Sequence, residues 1–185
     1  MSLDQSASEN STNPFAGILP GRPAPFFLDQ GEGEKSVVFD TLFTILLSGD
    51  ETDGQYGAFT TEGPAGEMIP PHMHPYTHEI FFCIEGEVRL WLDDEKGFKA
   101  QRLLERGGFA FIPAGTIHAF RLEAPTRVFG VSTGGFERFF HGIGKPTDKP
   151  GIPAPEDFYV PSREQFETAG EKYGTVFRPD FVFDV

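Results

Sequence analysis

From Ser36 to Thr133 the chain is a succession of short apolar runs cut by polar and glycine-rich clusters. The runs are SVVFDTLFTILLS (36–48), QYGAFTTEG (55–63), EIFFCI (79–84), EVRLWL (87–92), FKAQRLL (98–104), FAFIP (109–113), TIHAFRLE (116–123) and TRVFGVST (126–133). They are rich in β-branched and aromatic residues, and GDETDG, GPAGE, DDEKG and ERGG separate several of them as turns. In EVRLWL, Val88, Leu90 and Leu92 alternate with Glu87, Arg89 and Trp91. That period of two marks a strand with one better-buried face. The spacing predicts that EIFFCI and EVRLWL pair as a hairpin across Glu85-Gly86. Many short strands with Gly and Pro between them, and no internal repeat, predict one all-β sandwich or barrel.

The flanks read differently. Residues 1–13 are polar with little to bury and are expected to form a disordered tail. Residues 14–35 mix Pro and Gly with scattered apolar groups and predict an extended arm lying on a barrel of residues 36–133. In 134–185, GFERFFHGIG predicts a short helix with Phe136, Phe139 and Phe140 on one side. Ser162, followed three residues later by Gln165, is the start signature of a second helix. The final TVFRPDFVFDV is apolar enough to pack back on the barrel.

Composition narrows the function. The 185 residues carry a net charge of −13 and a pI near 4.7. No basic patch suited to nucleic acid, and no basic segment suited to anionic lipid, is visible. The single cysteine, Cys83, makes no internal disulfide and reads as a small buried hydrophobe. The N-terminus lacks the apolar stretch of a signal peptide, and no apolar run approaches the ~20 residues that span a bilayer. A cytoplasmic protein is the expectation. The 21 phenylalanines against one tryptophan suggest a thick β core or an aromatic-lined cavity.

The candidate chemistry is concentrated in GEMIPPHMHPYTHEIFFCIEG, residues 66–86, which holds three of the five histidines. His72 and His74 are two apart, so on a strand both imidazoles aim at one point. Two imidazoles suit one divalent transition metal such as Ni, Mn, Co, Fe or Cu. Glu79, across a short turn, can add a carboxylate oxygen. His78, its neighbour, should face away. Further on, in GGFAFIPAGTIHAF, His118 follows the Pro113-Ala114-Gly115 turn and is a possible fourth ligand. Three imidazoles and a carboxylate leave coordination positions open.

These residues resemble the cupin superfamily. Gly66, His72, His74, Glu79 and Gly86 match its first motif without exception, and Gly107, Pro113, Gly115 and His118 match its second, whose final Asn is Leu122 here. The resemblance implies a double-stranded β-helix, the cupin jelly-roll barrel, with short C-terminal helices. Within the cupins, EGPAGEMIPPHMHPYTHEIFFCIEGEVRLWLDD, GGFAFIPAGTIHAFR and GGFERFFHGIGKP are similar to single-domain quercetin 2,3-dioxygenases. That similarity implies opening of the central ring of a flavonol by O2 with release of carbon monoxide, Glu79 being both metal ligand and base.

The residues agree in part. If Glu79 and His118 point inward, strand alternation turns Phe81 and Phe120 inward with them. Phe111, on the strand before His118, and Tyr76 and Met73, at the expected mouth, complete the candidate contacts with a small aromatic substrate. A second metallo-cupin chemistry (isomerase, decarboxylase or another phenolic dioxygenase) uses the same ligands, and a non-enzymatic small-molecule-binding cupin is the third reading. The resemblance implies a homodimer, and EIFFCI, apolar on both faces, is compatible with a partner or a covering segment.

Overall fold

A computed structural model describes residues 13–185. The tail expected at 1–13 therefore lies outside the described residues except for Asn13, whose carboxamide accepts the Phe15 N–H. The strands are β1 (Glu34–Val38), β2 (Thr41–Leu47), β3 (Tyr56–Gly63), β4 (Ile69–Met73), β5 (Glu79–Glu85), β6 (Val88–Asp93), β7 (Lys99–Leu104), β8 (Phe109–Ile112), β9 (Ile117–Leu122), β10 (Thr126–Thr133), β11 (Lys145–Pro146) and β12 (Val176–Phe177). Two α-helices, α1 (Phe139–Ile143) and α2 (Arg163–Tyr173), follow the main strands. All pairings are antiparallel, in a seven-stranded sheet ordered β11-β1-β2-β3-β10-β5-β8 and a five-stranded sheet ordered β12-β4-β9-β6-β7. Two layers of antiparallel strands with two short helices make an all-β jelly roll.

The expected hairpin of EIFFCI with EVRLWL is corrected. β5 pairs with β10 and β8, whereas β6 pairs with β9 and β7 in the other sheet. Gly86 sits between them at φ +80°, and a Cβ there would press into the Pro125 carbonyl and the Thr126 hydroxyl. The chain crosses from one sheet to the other through a corner that has no room for a side chain. A second break falls inside SVVFDTLFTILLS, which splits into β1 and β2. Phe39 takes φ +56°, rare for a bulky residue, and is held by paired backbone hydrogen bonds with Tyr159.

Two apolar clusters fill the molecule. One joins Phe43, Ile45 and Phe59 of the first sheet to Phe136, Phe139 and Ile143, with Leu19 of the N-terminal arm and Ala169 of α2. The other joins Cys83, Val88, Leu90, Ile112, Leu122 and Val128 between the sheets. Helix α2 starts at Ser162 with a full capping box to Gln165 and stops at left-handed Gly174. On the outer face of β5 and β8, Phe82, Phe109 and Phe111 stand exposed. No helix among the described residues is long and apolar enough to cross a membrane.

Candidate metal centre

Register brings the histidines together. His72 on β4 and His118 on β9 are direct cross-strand partners, and His74 follows one residue past the end of β4, where its carbonyl accepts the Gly115 N–H at 2.8 Å. The turn at Pro113–Gly115 is thereby tied to the strand that carries the HxH pair. Glu79 enters from the other sheet, at the first position of β5, between Ser132 of β10 and Ile112 of β8. The site is thus built across the sandwich, three imidazoles on one sheet and a carboxylate on the other.

All four side chains are buried. One ring nitrogen from each of His72, His74 and His118 lies within 4.8 Å of the others. Glu79 Oε2 is 3.0 Å from His118 Nε2 and 3.4 Å from His74 Nε2. His72 Nδ1 is 2.7 Å from the Pro70 carbonyl, His118 Nδ1 is 3.0 Å from the Thr116 carbonyl, and His74 Nδ1 is 3.3 Å from the Thr175 hydroxyl. With Nδ1–H donated outward, each Nε2 lone pair is left facing the centre.

The electrostatics suit a cation. Burial first, and then the neighbouring imidazoles, push His72 down to about 3. Burial likewise brings His74 down to about 4, although Glu79 opposes the shift. Both rings are neutral near pH 7 and free to ligate. Burial alone raises the Glu79 carboxyl, but the close approach of His118 Nε2, with His74 and His72 behind it, outweighs burial and holds the carboxyl at about 2. Glu79 Oε2, His74 Nε2 and His118 Nε2 are buried without a hydrogen-bond partner. Stranded polar atoms of this kind are costly unless something binds them. A divalent metal satisfies all of them at once, so the residues present fit one.

His72 and His74 line a cavity of about 130 Å³. Its walls are largely aromatic: Phe43, Phe120, Phe136, Phe139, Phe166 and Phe177, with Asp40 and Glu67 among its few acidic groups. Phe120 is the one expected contact residue on this wall. Phe81 packs edge-on against Phe120 at 5.5 Å and lines a smaller space beside it. The structure does not bring the other three to the cavity. Phe111 is 50% exposed on edge strand β8, stacked on His78 at the outer surface. Tyr76 is 88% exposed. Met73 alternates with His72 and pairs with Val176. His78 accepts the Ala114 N–H at 3.1 Å and takes no part in the cluster.

Sequence reasoning missed the C-terminal contribution. Phe166 of α2, Phe177 of β12 and Thr175 between them all line the cavity, and β12 pairs with β4 so that Phe177 sits opposite His72. The apolar TVFRPDF run is the signal that could have found them.

Residues 59–132 match the Cupin domain family. Over 130 residues, 69% of this chain, the sequence is 37% identical to quercetin 2,3-dioxygenase of Bacillus subtilis (strain 168). The chain spans 37% of that relative's length. Among solved structures it is similar to a variant of oxalate decarboxylase from B. subtilis, with a TM-score of 0.51 and 16% identity over 63% of this chain and 32% of that one. It is also similar to oxalate decarboxylase from Lactobacillus farciminis, with a TM-score of 0.51 and 16% identity over 61% of this chain and 34% of that one. At that identity the two structures speak for the fold alone. The motifs, the jelly roll and the match over 59–132 agree, and the chain belongs to the cupin superfamily.

Proposed function

We propose that this cupin is a metal-dependent dioxygenase of a flavonol-like aromatic substrate, the reaction named for its B. subtilis relative. The observation that carries the reading is that a cavity walled by many phenylalanines reaches His72 and His74 of a cluster of three histidines and one carboxylate. The 37% identity to a quercetin 2,3-dioxygenase supports it.

His72, His74, His118 and Glu79 would hold one divalent ion of the Ni, Mn, Co, Fe or Cu group, which supplies Lewis acidity to a hydroxyl placed beside it. The aromatic walls orient a flat ring system by stacking and exclude water. Glu79 is ionised at neutral pH and so can take the proton of the substrate hydroxyl. No lysine or arginine lines the cavity, which disfavours anionic substrates such as dicarboxylates.

A second reading draws on the size of the cavity. About 130 Å³ is near the ~150 Å³ void that takes up one benzene ring. The cavity at this size favours a single-ring phenol, unless the outer groove that shares Phe39, Phe166, Thr175 and Phe177 with it joins it to admit a larger molecule. A homodimer belongs to the proposal, with the uncharged Phe82–Phe109–Phe111 face as the surface a second copy of this strongly acidic chain would cover.

The test is a titration of metal-loaded protein with quercetin without oxygen, followed by admission of O2. A shifted flavonolate band that decays with O2 uptake is expected. If no divalent metal supports turnover of any flavonol, the substrate assignment fails, and a panel of single-ring phenols decides the second reading.

A further inference from the structure

We propose that Thr175 is a positioning residue for the metal ligand His74, and that through it the C-terminal segment sets the geometry of the metal centre. The three imidazoles are oriented in two ways. His72 and His118 each direct Nδ1 to a backbone carbonyl two residues back in the sequence, at 2.7 Å and 3.0 Å. Those acceptors come with the strands themselves. His74 stands beyond the end of β4, and its Nδ1 meets the hydroxyl of Thr175, 101 residues further along, at 3.3 Å. The Gly174 carbonyl in the same corner adds to the pull on that proton.

The corner is fixed independently of His74. Left-handed Gly174 ends α2, and the Thr175 N–H donates to the Gly170 carbonyl at 2.9 Å. Val176 and Phe177 then pair with Met73 and His72, and the Arg178 N–H reaches the Pro71 carbonyl at 2.8 Å. β4, which carries His72 and leads into His74, is thereby bonded to the segment carrying Thr175. The Gly174 carbonyl can only accept, so Nδ1 carries the proton there; the Thr175 hydroxyl oxygen then accepts as well, and the Nε2 lone pair, buried and unpartnered, faces the centre. Thr175 also lines both the cavity and the outer groove, so the same contact links ligand orientation to the wall that a substrate must pass.

The inference rests on the metal centre and not on the identity of the substrate. The test uses the full chain and Co²⁺ as both ligand and probe. Thr175→Val removes the acceptor at nearly constant volume, Thr175→Ser restores it, and Thr175→Ala removes it without a β-branch. Competition against a chelator should show Co²⁺ bound about tenfold more weakly by the Val and Ala variants, the low end of the range for loss of such a partner because the Gly174 carbonyl remains. The visible Co²⁺ spectrum should shift in both and return in the Ser variant. Wild-type affinity and spectrum in either hydroxyl-free variant overturns the proposal, as does a loss in Val that Ala does not share. If Val does not fold, the Ala and Ser pair alone decides it.

Discussion

His72 and His118 are 46 positions apart in sequence and directly opposite each other across β4 and β9. The site depends on that register, because a slip of one residue on either strand would turn an imidazole out of the cluster. Replacing His118 with Ala should therefore weaken metal binding by more than the ~10–100-fold that loss of a supporting partner costs. Metal content after dialysis against a chelator, measured by elemental analysis, checks this. Retention of a full equivalent would mean that His118 is not a ligand.

The proposed function gives Glu79 a role beyond holding the ion. Glu79→Gln keeps the shape and an oxygen near the centre but cannot accept a proton as the carboxylate does. The expected outcome is metal still bound by the three imidazoles, with turnover lowered by at least ~100-fold. Metal content and O2 uptake measured on the same preparation separate the two effects, and equal loss of both would reduce Glu79 to a ligand.

Gly86 ends the first motif for a reason unrelated to metal. It holds φ +80° in the corner where the chain leaves one sheet for the other, against Pro125 and Thr126. Gly86→Ala meets both a backbone clash and an unfavourable conformation. It should destabilise the fold by about 2–4 kcal/mol, or roughly 5–15 °C in Tm for a chain of this size. Thermal unfolding of the metal-loaded protein measures it.

What could be read from the sequence follows from how local each signal is. Most strands between Gly54 and Gly134 declare themselves by apolar runs with Gly or Pro near their ends, and the capping pair Ser162 and Gln165 marks α2 before any tertiary contact is considered. His72, His74, Glu79 and His118 were legible because their spacing is tied to strand geometry. The partnering of β5 was not legible: adjacency in sequence favours a hairpin, whereas β5 and β6 each pair with strands distant in sequence, on either side of the crowded Gly86 corner. The β1–β2 break was hidden because Phe39 carries no turn signal and is held by Tyr159, 120 residues away. Phe111 misled because alternation says which residues share a face but not which face is inside. Its register opposite Ile80, one residue out of phase with inward Glu79 and Ile112, turns it outward.

Phe177 decides between a one-ring and a three-ring substrate. It lines both the cavity and the outer groove, packs edge-on to Phe166 at 6.0 Å and lies 6.0 Å from the His72 ring. Phe177→Ala should join the two spaces. If the substrate is a flavonol admitted by movement of this wall, KM for quercetin should fall or stay level. If the substrate is a single-ring phenol, its KM should rise several-fold while kcat changes less. Half-exposed Phe177 should cost less stability than the ~3–5 kcal/mol of a core Phe→Ala change. Steady-state kinetics with both substrate classes make the comparison.

His141 should give the fold an acid limb separate from the metal centre. Burial first, then the Arg138 guanidinium, brings its pKa down from 6.5 to about 4. Its ring stacks on Phe15 at 3.8 Å, Arg138 Nη1 is 3.3 Å from Nδ1, and Glu34 Oε2 is 3.6 Å from Nε2. The folded state binds this proton less readily than the unfolded chain, so its contribution is intact above pH 6.5 and is lost as pH falls toward 4. The full loss is on the order of 3 kcal/mol. Glu34, raised by burial against the pull of Arg138, acts in the opposite sense, since protonating it relieves a buried charge. The net slope between pH 6.5 and 4 should therefore be shallower than His141 alone would give. Denaturant unfolding at several pH values checks this by difference. His141→Gln should flatten the curve in that window while the contribution of His72 and His74, common to both proteins, cancels. An unchanged slope would place the acid sensitivity at the metal ligands instead.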